Sequence, residues 1–271
     1  MKNVLTIAGS DSCGGAGIQA DLKTFSALGT YGMSVITAVT AQNTVGVQNV
    51  RVLDEEIIRD QINCLFQDIE VAAVKVGMVS SREIINVIGE TLNYWHPPHV
   101  VFDPVMASKS GCHLLKPEAK DDLIRVLLPL ADVVTPNLPE AEVITGEKIA
   151  GIDQMEKAAL MINEMGARNV VVKGGHLDGD AVDILYADGR FHYLEEKRIK
   201  TKNTHGTGCT FSSAINAYLA RGYGVYEAVK RAKEYITGAI EQSLDIGHGV
   251  GPTNHFYRLY AIAGIMDHQV L

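Results

Sequence analysis

The sequence predicts a doubly wound α/β domain: a mostly parallel central sheet with helices on both faces, in three α/β/α layers. Three observations carry this. Short, continuous apolar runs of strand length alternate with helical patterns almost throughout the chain, which is how strands buried on both faces and joined by crossover helices read. No Pro/Gly/Ser-rich linker interrupts the alternation, so the 271 residues are read as one domain, 1–271. The composition, 46% hydrophobic and 21% charged, is globular and excludes collagen-like or disordered classes.

Val4 to Ala8 reads as a buried strand, and Ile18, Leu22 and Phe25 follow at helical spacing before Gly29. A strand over Ser34 to Val39 precedes a helix over Glu55 to Phe66. Val71 to Val76 is a strand and Arg82 to Tyr94 a helix. Val100 to Phe102 is a strand ending at Asp103-Pro104. Pro117 to Leu128 is a helix, Asp132 to Thr135 a strand, Gln154 to Met165 a helix and Asn169 to Lys173 a strand. Two polar-flanked strands, 181–187 and 190–196, form a hairpin around Asp188-Gly189. Helices over 208–221, 225–243 and 255–266 end the chain.

The charge balance is 24 basic to 32 acidic residues, a net −8. No basic stripe appears, so a nucleic-acid partner is not expected. Cysteines at 13, 64, 112 and 209 have neither zinc nor C-x-x-C spacing. No apolar stretch reaches membrane-spanning length, and the first apolar run turns polar too soon for a signal peptide. These features predict a cytoplasmic protein with free thiols.

In doubly wound sheets ligands sit at the carboxyl ends of the strands, and four segments there could carry chemistry. Gly9 to Gly17 holds four glycines in nine residues between a strand and a helix. It is either a tight turn or a loop whose backbone approaches a ligand. Asp21, in the following helix, needs a donor from backbone or ligand if buried. Gly206 and Gly208, with the hydroxyls of Thr204 and Thr207 around them, open a helix and can build an anion hole from backbone amides. Cys209 falls in that helix's first turn, where the positive helix end should favour thiolate; an inert buried cysteine is the alternative. Asn137 and Glu140, one helical turn apart, suit the water shell of Mg²⁺, with Asp103 as a further carboxylate; otherwise Glu140 simply complements a helix dipole. Lys173, before Gly174-Gly175, is placed to touch a phosphate or else is a surface lysine. A metal site, a cation and an anion hole on one edge are the equipment of phosphoryl transfer.

The motif Gly9-Ser10-Asp11-x-x-Gly14-Gly15-Ala16-Gly17-Ile18-Gln19-Ala20-Asp21-Leu22-Lys23-Thr24 resembles the N-terminal signature of hydroxymethylpyrimidine/phosphomethylpyrimidine kinases, members of the ribokinase-like superfamily. Ala41-Gln42-Asn43-Thr44, Asp103 to Met106, Lys109-Ser110-Gly111, Thr135 to Ala141 and Asn203 to Thr210 match it in the same order, over about residues 3 to 254. The resemblance implies a three-layer α/β/α ribokinase-like kinase of thiamine biosynthesis. It would use ATP and Mg²⁺ to phosphorylate 4-amino-5-hydroxymethyl-2-methylpyrimidine and then its monophosphate. It places Gly9, Asp21, Gln42, Met78 and Val105 around the pyrimidine. It places Lys173, Asn137, Thr204 and the Gly206, Thr207, Gly208 and Cys209 turn at the nucleotide, with Cys209 as base, and Asn137 and Glu140 at the metal. It further implies a flap near 107–116 and a homodimer. A Gln42 amide can pair bidentately with an aminopyrimidine edge. The nearest rival is a pyridoxal kinase, kept open by Cys112 in the flap. Other classes are a cysteine hydrolase using Cys209 with His205 or His176, and a non-catalytic sensor of a vitamin precursor.

Overall fold

The computed structural model describes residues 1–106, 111, 114–175 and 181–265. Most of the expected flap, with Lys109, Ser110 and Cys112, lies outside the described residues, as do His176 and the chain end from Met266. Among the described residues nine strands, numbered in chain order, join in one sheet of order β3-β2-β1-β4-β5-β6-β7-β8-β9. Its centre, β2 (Tyr31–Gln42), β1 (Asn3–Asp11), β4 (Ala73–Val76), β5 (Val100–Phe102), β6 (Val133–Val134) and β7 (Asn169–Val172), is parallel throughout. The hairpin β8 (Ala181–Ala187) and β9 (Arg190–Glu196) adds antiparallel to β7. Its turn residues Asp188 and Gly189 both have positive φ, the tight-turn geometry that the Asp-Gly pair favours.

Side chains along each central strand alternate between two cores, as a period of two requires. Phe102, Val134, Val170 and Val172 pack with α2 (Glu55–Asp68), α3 (Arg82–Trp95), α5 (Leu138–Thr145) and α6 (Ile152–Glu164). Val101, Val133 and Val171 face the opposite way, with α1 (Gly17–Ala27), α7 (Thr207–Ala220) and α8 (Val225–Glu241). The same alternation turns Thr6 of β1 and Lys75 of β4 toward the α1/α7 layer, where both meet Asp21 of α1. Among the described residues no helix is long and apolar enough to cross a membrane.

Three elements depart from expectation. β3 (Val47–Val52) is a strand the sequence pattern does not announce, because Val47-Gln48-Asn49-Val50-Arg51-Val52 is mostly half-buried or exposed and exists through antiparallel pairing with the outer edge of β2 over Ala38–Gln42. The predicted helix over Pro117 to Leu128 is instead an irregular helical stretch over 117–130 (α4), tight at both ends and wide over Leu123–Leu127. Pro129 contributes no backbone donor, so regular α bonding cannot continue through it. The last helix, α9, covers only Tyr257–Ile262, shorter than the expected 255–266. Gly264, at φ +66°, turns the chain out of the helical conformation just beyond it.

Candidate active site

The carboxyl ends of β1, β4, β5, β6 and β7 and the first turn of α7 converge. Asp103 follows β5 and is buried. Its Oδ1 accepts from Lys173 Nζ at 3.0 Å and Thr135 Oγ1 at 2.9 Å, and its Oδ2 from Ser212 Oγ of α7 at 3.3 Å. Burial pushes the Asp103 carboxyl up, but the Lys173 and Lys75 ammoniums outweigh this and hold it below the usual range. Lys173 answers in kind: burial alone would lower it, and Asp103 and Glu140 keep it above its ordinary value. A Cβ placed on Gly208 would stand 3.5 Å from Lys173 Nζ and 3.6 Å from Asp103 Oδ2. The amides of Gly208 and Cys209, in the first turn of α7, have no carbonyl a turn back within the helix. Lys173, Asp103, Gly208 and Cys209 are thus brought together.

Gly206 has φ +78°, and a Cβ on it would lie 1.7 Å from the Gly15 carbonyl oxygen. Any side chain would separate the glycine loop after β1 from the turn before α7. Thr207 Oγ1 donates to the Thr204 carbonyl at 2.8 Å, so its proton caps the turn and only its lone pairs remain free. Gly9 is buried against Met78, whose Sδ would lie 2.8 Å from a Cβ at Gly9. Val105 is half-buried and its amide donates to the Asp103 carbonyl.

Three expectations are corrected. Asp21 does not offer its carboxylate to a ligand: it is fully buried, and both oxygens are taken by Lys75 Nζ (3.0 and 2.9 Å), with Thr6 Oγ1 and Ser213 Oγ at 2.6 Å each. Its donors come from side chains of β4, β1 and α7, not from backbone or ligand. Cys209 is not a ready thiolate. Although the residue keeps some exposure, close packing makes burial the largest influence, and with Asp21 and Asp103 it pushes the thiol up to about 11 against the pull of Lys75. Burial of the thiol outweighs the half charge of a helix end. Asn137 and Glu140 are not free to order a water shell with all their atoms: they form a reciprocal cap on α5, Asn137 Oδ1 accepting from Glu140 N at 2.9 Å and Glu140 Oε2 from Asn137 N at 2.8 Å. Glu140 is raised to about 7, first by burial and also by Asp103, despite Lys173.

The fit to a cation is therefore one of charge and not of ready-made ligands. Around the site the buried carboxylates of Asp21, Asp103 and Glu140 face the buried ammonium of Lys75 and the half-buried one of Lys173. Three carboxylates face two ammoniums, and a divalent ion entering with phosphates would relieve the difference. Sequence reasoning missed Lys75, Thr6, Ser212 and Ser213. One signal was readable: Lys75 is a lone charge inside an otherwise apolar strand, a position that demands a partner.

A family model described as phosphomethylpyrimidine kinase matches residues 11–254. The chain belongs to this family. Among curated members, the hydroxymethylpyrimidine/phosphomethylpyrimidine kinase of Rhizobium meliloti is 54% identical, covering 94% of this chain and 97% of that protein. The thiamine biosynthesis bifunctional protein ThiED of Geobacter sulfurreducens is 52% identical over 93% of this chain, which spans only 52% of that longer protein. Among solved structures, phosphomethylpyrimidine kinase from Clostridium difficile is 57% identical with a TM-score of 0.80, covering 89% of this chain and 100% of that one. An ADP complex of pyridoxal kinase from Bacillus subtilis is 44% identical with a TM-score of 0.89, covering 96% and 99%. The ribokinase-like architecture expected from the resemblance is the one this phosphomethylpyrimidine kinase family member has.

Proposed function

We propose that the chain transfers the terminal phosphoryl group of ATP to the hydroxymethyl oxygen of 4-amino-5-hydroxymethyl-2-methylpyrimidine, and then to the resulting monophosphate, supplying the diphosphate for thiamine biosynthesis. The observation that carries this is the Lys173–Asp103 pair standing against the first turn of α7. Lys173 and the Gly208 and Cys209 amides are pre-oriented donors for charge that grows as the phosphoryl group moves. Thr204, Thr207 and Asn137 border the nucleotide side, and Gly9, Met78, Val105 and Gln42 the pyrimidine side. Mg²⁺ bound to the phosphates would supply Lewis-acid neutralisation, with Asp103 and Glu140 as the opposing charge.

In the first step the substrate is a neutral alcohol, and its proton goes to Cys209 sulfur in its ionised form as oxygen bonds to phosphorus and ADP departs. With the thiol at about 11 the base is a minority species at neutral pH, so this step speeds up as pH rises. In the second step the nucleophile is a phosphate oxygen and needs no base. Free Cys13, Cys64 and Cys209 among the described residues support a reducing, cytoplasmic setting. Exposed Val39, Val45 and Val52 around the β2–β3 hairpin support a homodimer.

Pyridoxal is the second reading, favoured by the 0.89 TM-score to a pyridoxal kinase. ADP release measured side by side with the pyrimidine alcohol, its monophosphate and pyridoxal tests both. Turnover is expected with the two pyrimidines; turnover with pyridoxal alone would reverse the assignment, and none with any of them would end the kinase reading.

A further inference from the structure

Three loops meet at one ring nitrogen. His205 Nε2, next to the anion turn, lies 2.8 Å from Asp11 Oδ2 at the end of β1 and 3.3 Å from Gln42 Nε2 at the end of β2. Asp11 Oδ2 also accepts from Gly15 N at 3.1 Å and Ala16 N at 2.8 Å, and Oδ1 from Cys13 N at 3.0 Å. Asp11, Cys13 and His205 have ligand atoms within 4.8 Å of one another, the composition of a metal site. The carboxylate, however, is already surrounded by donors, so the trio is a hydrogen-bonded hub.

Asp11 is held below its usual range, burial being outweighed by His205 and the loop amides, and is therefore a carboxylate. A ring nitrogen 2.8 Å from a carboxylate oxygen carries the proton whatever the charge of the ring. His205 Nε2–H thus donates to Asp11 and has no lone pair for the Gln42 amide. Two donors facing each other at 3.3 Å repel. A half-turn of the amide, which leaves every heavy-atom position in place, removes the conflict. It brings Gln42 Oε1 to share the His205 Nε2–H with Asp11, and its nitrogen toward Thr40 Oγ1, which lies 3.4 Å from the other end of the amide and, donating its own proton to the Ser10 carbonyl, can accept.

We propose that the Asp11–His205 pair is a specificity device: it sets the Gln42 amide with oxygen on the His205 side, and so sets which way round the aminopyrimidine lies. The inference rests on Gln42 as the pyrimidine's partner. The amide oxygen takes the exocyclic amine, so the amine lies on the His205 side. The hydroxymethyl group is on the adjacent ring carbon and so lies on that side too, toward the turn that carries Cys209. The reverse amide would turn the alcohol away from the phosphoryl donor. His205 is then a positioning residue, acting through Gln42.

The test compares His205→Asn, His205→Gln and Gln42→Ala, with kcat and KM measured for the pyrimidine alcohol, for ATP, and for the analogue lacking the amine. Loss of one ordering hydrogen bond predicts about a tenfold fall in kcat/KM for the alcohol in His205→Asn, with the KM for ATP unchanged. His205→Gln, whose amide nitrogen reaches the place of Nε2, restores most of it. In a Gln42→Ala background His205→Asn costs nothing further, and the deamino analogue does not distinguish His205→Asn from the parent. Independent, multiplying losses from His205 and Gln42, or equal losses on alcohol and analogue, overturn the proposal. If Gln42→Ala leaves the alcohol's kcat/KM intact, the assignment of Gln42 itself has failed and takes the proposal with it.

Discussion

Two lysine–carboxylate pairs sit under the same helix and differ in their access to solvent. Lys75 and Asp21 are 2.9 Å apart with side chains 1% and 0% exposed; Lys173 and Asp103 are 3.0 Å apart with 16% and 2%. The first is sealed by the hydroxyls of Thr6 and Ser213, which fill the remaining carboxylate positions. The second is braced by Thr135 and Ser212 but stands against the α7 glycine turn, where the lysine keeps access to whatever enters. The chemistry of the pairs is the same, and access alone separates them. Cys209 lies between them and feels both: Lys75, Asp21 and Asp103 all act on its thiol.

Removing each cation in turn puts the contrast at greatest risk. Lys75→Met leaves Asp21 buried without its partner and should cost about 3–5 kcal/mol of stability in urea unfolding, most of it regained when Asp21→Leu is added. An unchanged midpoint for the single variant would show that the sealed pair is not structural. Lys173→Met should instead lower kcat about 10²- to 10³-fold, with a smaller shift in midpoint than Lys75→Met because water reaches its pair. If the two variants lost stability equally, access would not be what distinguishes them.

Cys209→Ala probes the ground between the pairs. Turnover of the alcohol should fall about 10²-fold, while turnover of the monophosphate should hardly change. In the parent, the first step should climb with pH through the neutral range and the second should not. Equal losses on both substrates, or matching pH profiles, would remove Cys209 from its role as base. The smallest effect concerns Glu140. Its carboxyl is raised from its ordinary value to about 7 in the folded protein, so the stabilising proton is fully present below the unfolded value and is lost as pH rises through about 7. Glu140→Gln, which can keep the α5 cap, should flatten the fall in stability between about pH 5 and pH 8 by about 2 kcal/mol. Parallel stability curves for parent and variant would mean that burial does not raise the Glu140 carboxyl.

Much of the sheet was legible because burial on both faces writes continuous apolar runs, as at Val100-Val101-Phe102 and Val170-Val171-Val172. β3 was not, since a half-exposed edge strand depends on the free edge of the neighbour it pairs with, which its own residues do not record. At the site, the glycines before α7 and Lys173 were readable by their place at strand ends. Ser212 and Ser213 were not: their value depends on which carboxylates face the inner side of α7, and Asp103 and Asp21 lie more than a hundred residues away in the chain.

Residue order was enough to set the class of fold, the strand ends that bear chemistry and the residue types available for phosphoryl transfer, because periodicity and local turns are written in neighbouring residues. The charge and availability of those residues came from packing across the chain. Packing closed Asp21 with Lys75, spent Asn137 and Glu140 on a helix cap, kept the Cys209 thiol protonated and joined Asp11 to His205. Desolvation and pairing depend on groups that meet only in three dimensions, and no local pattern records them.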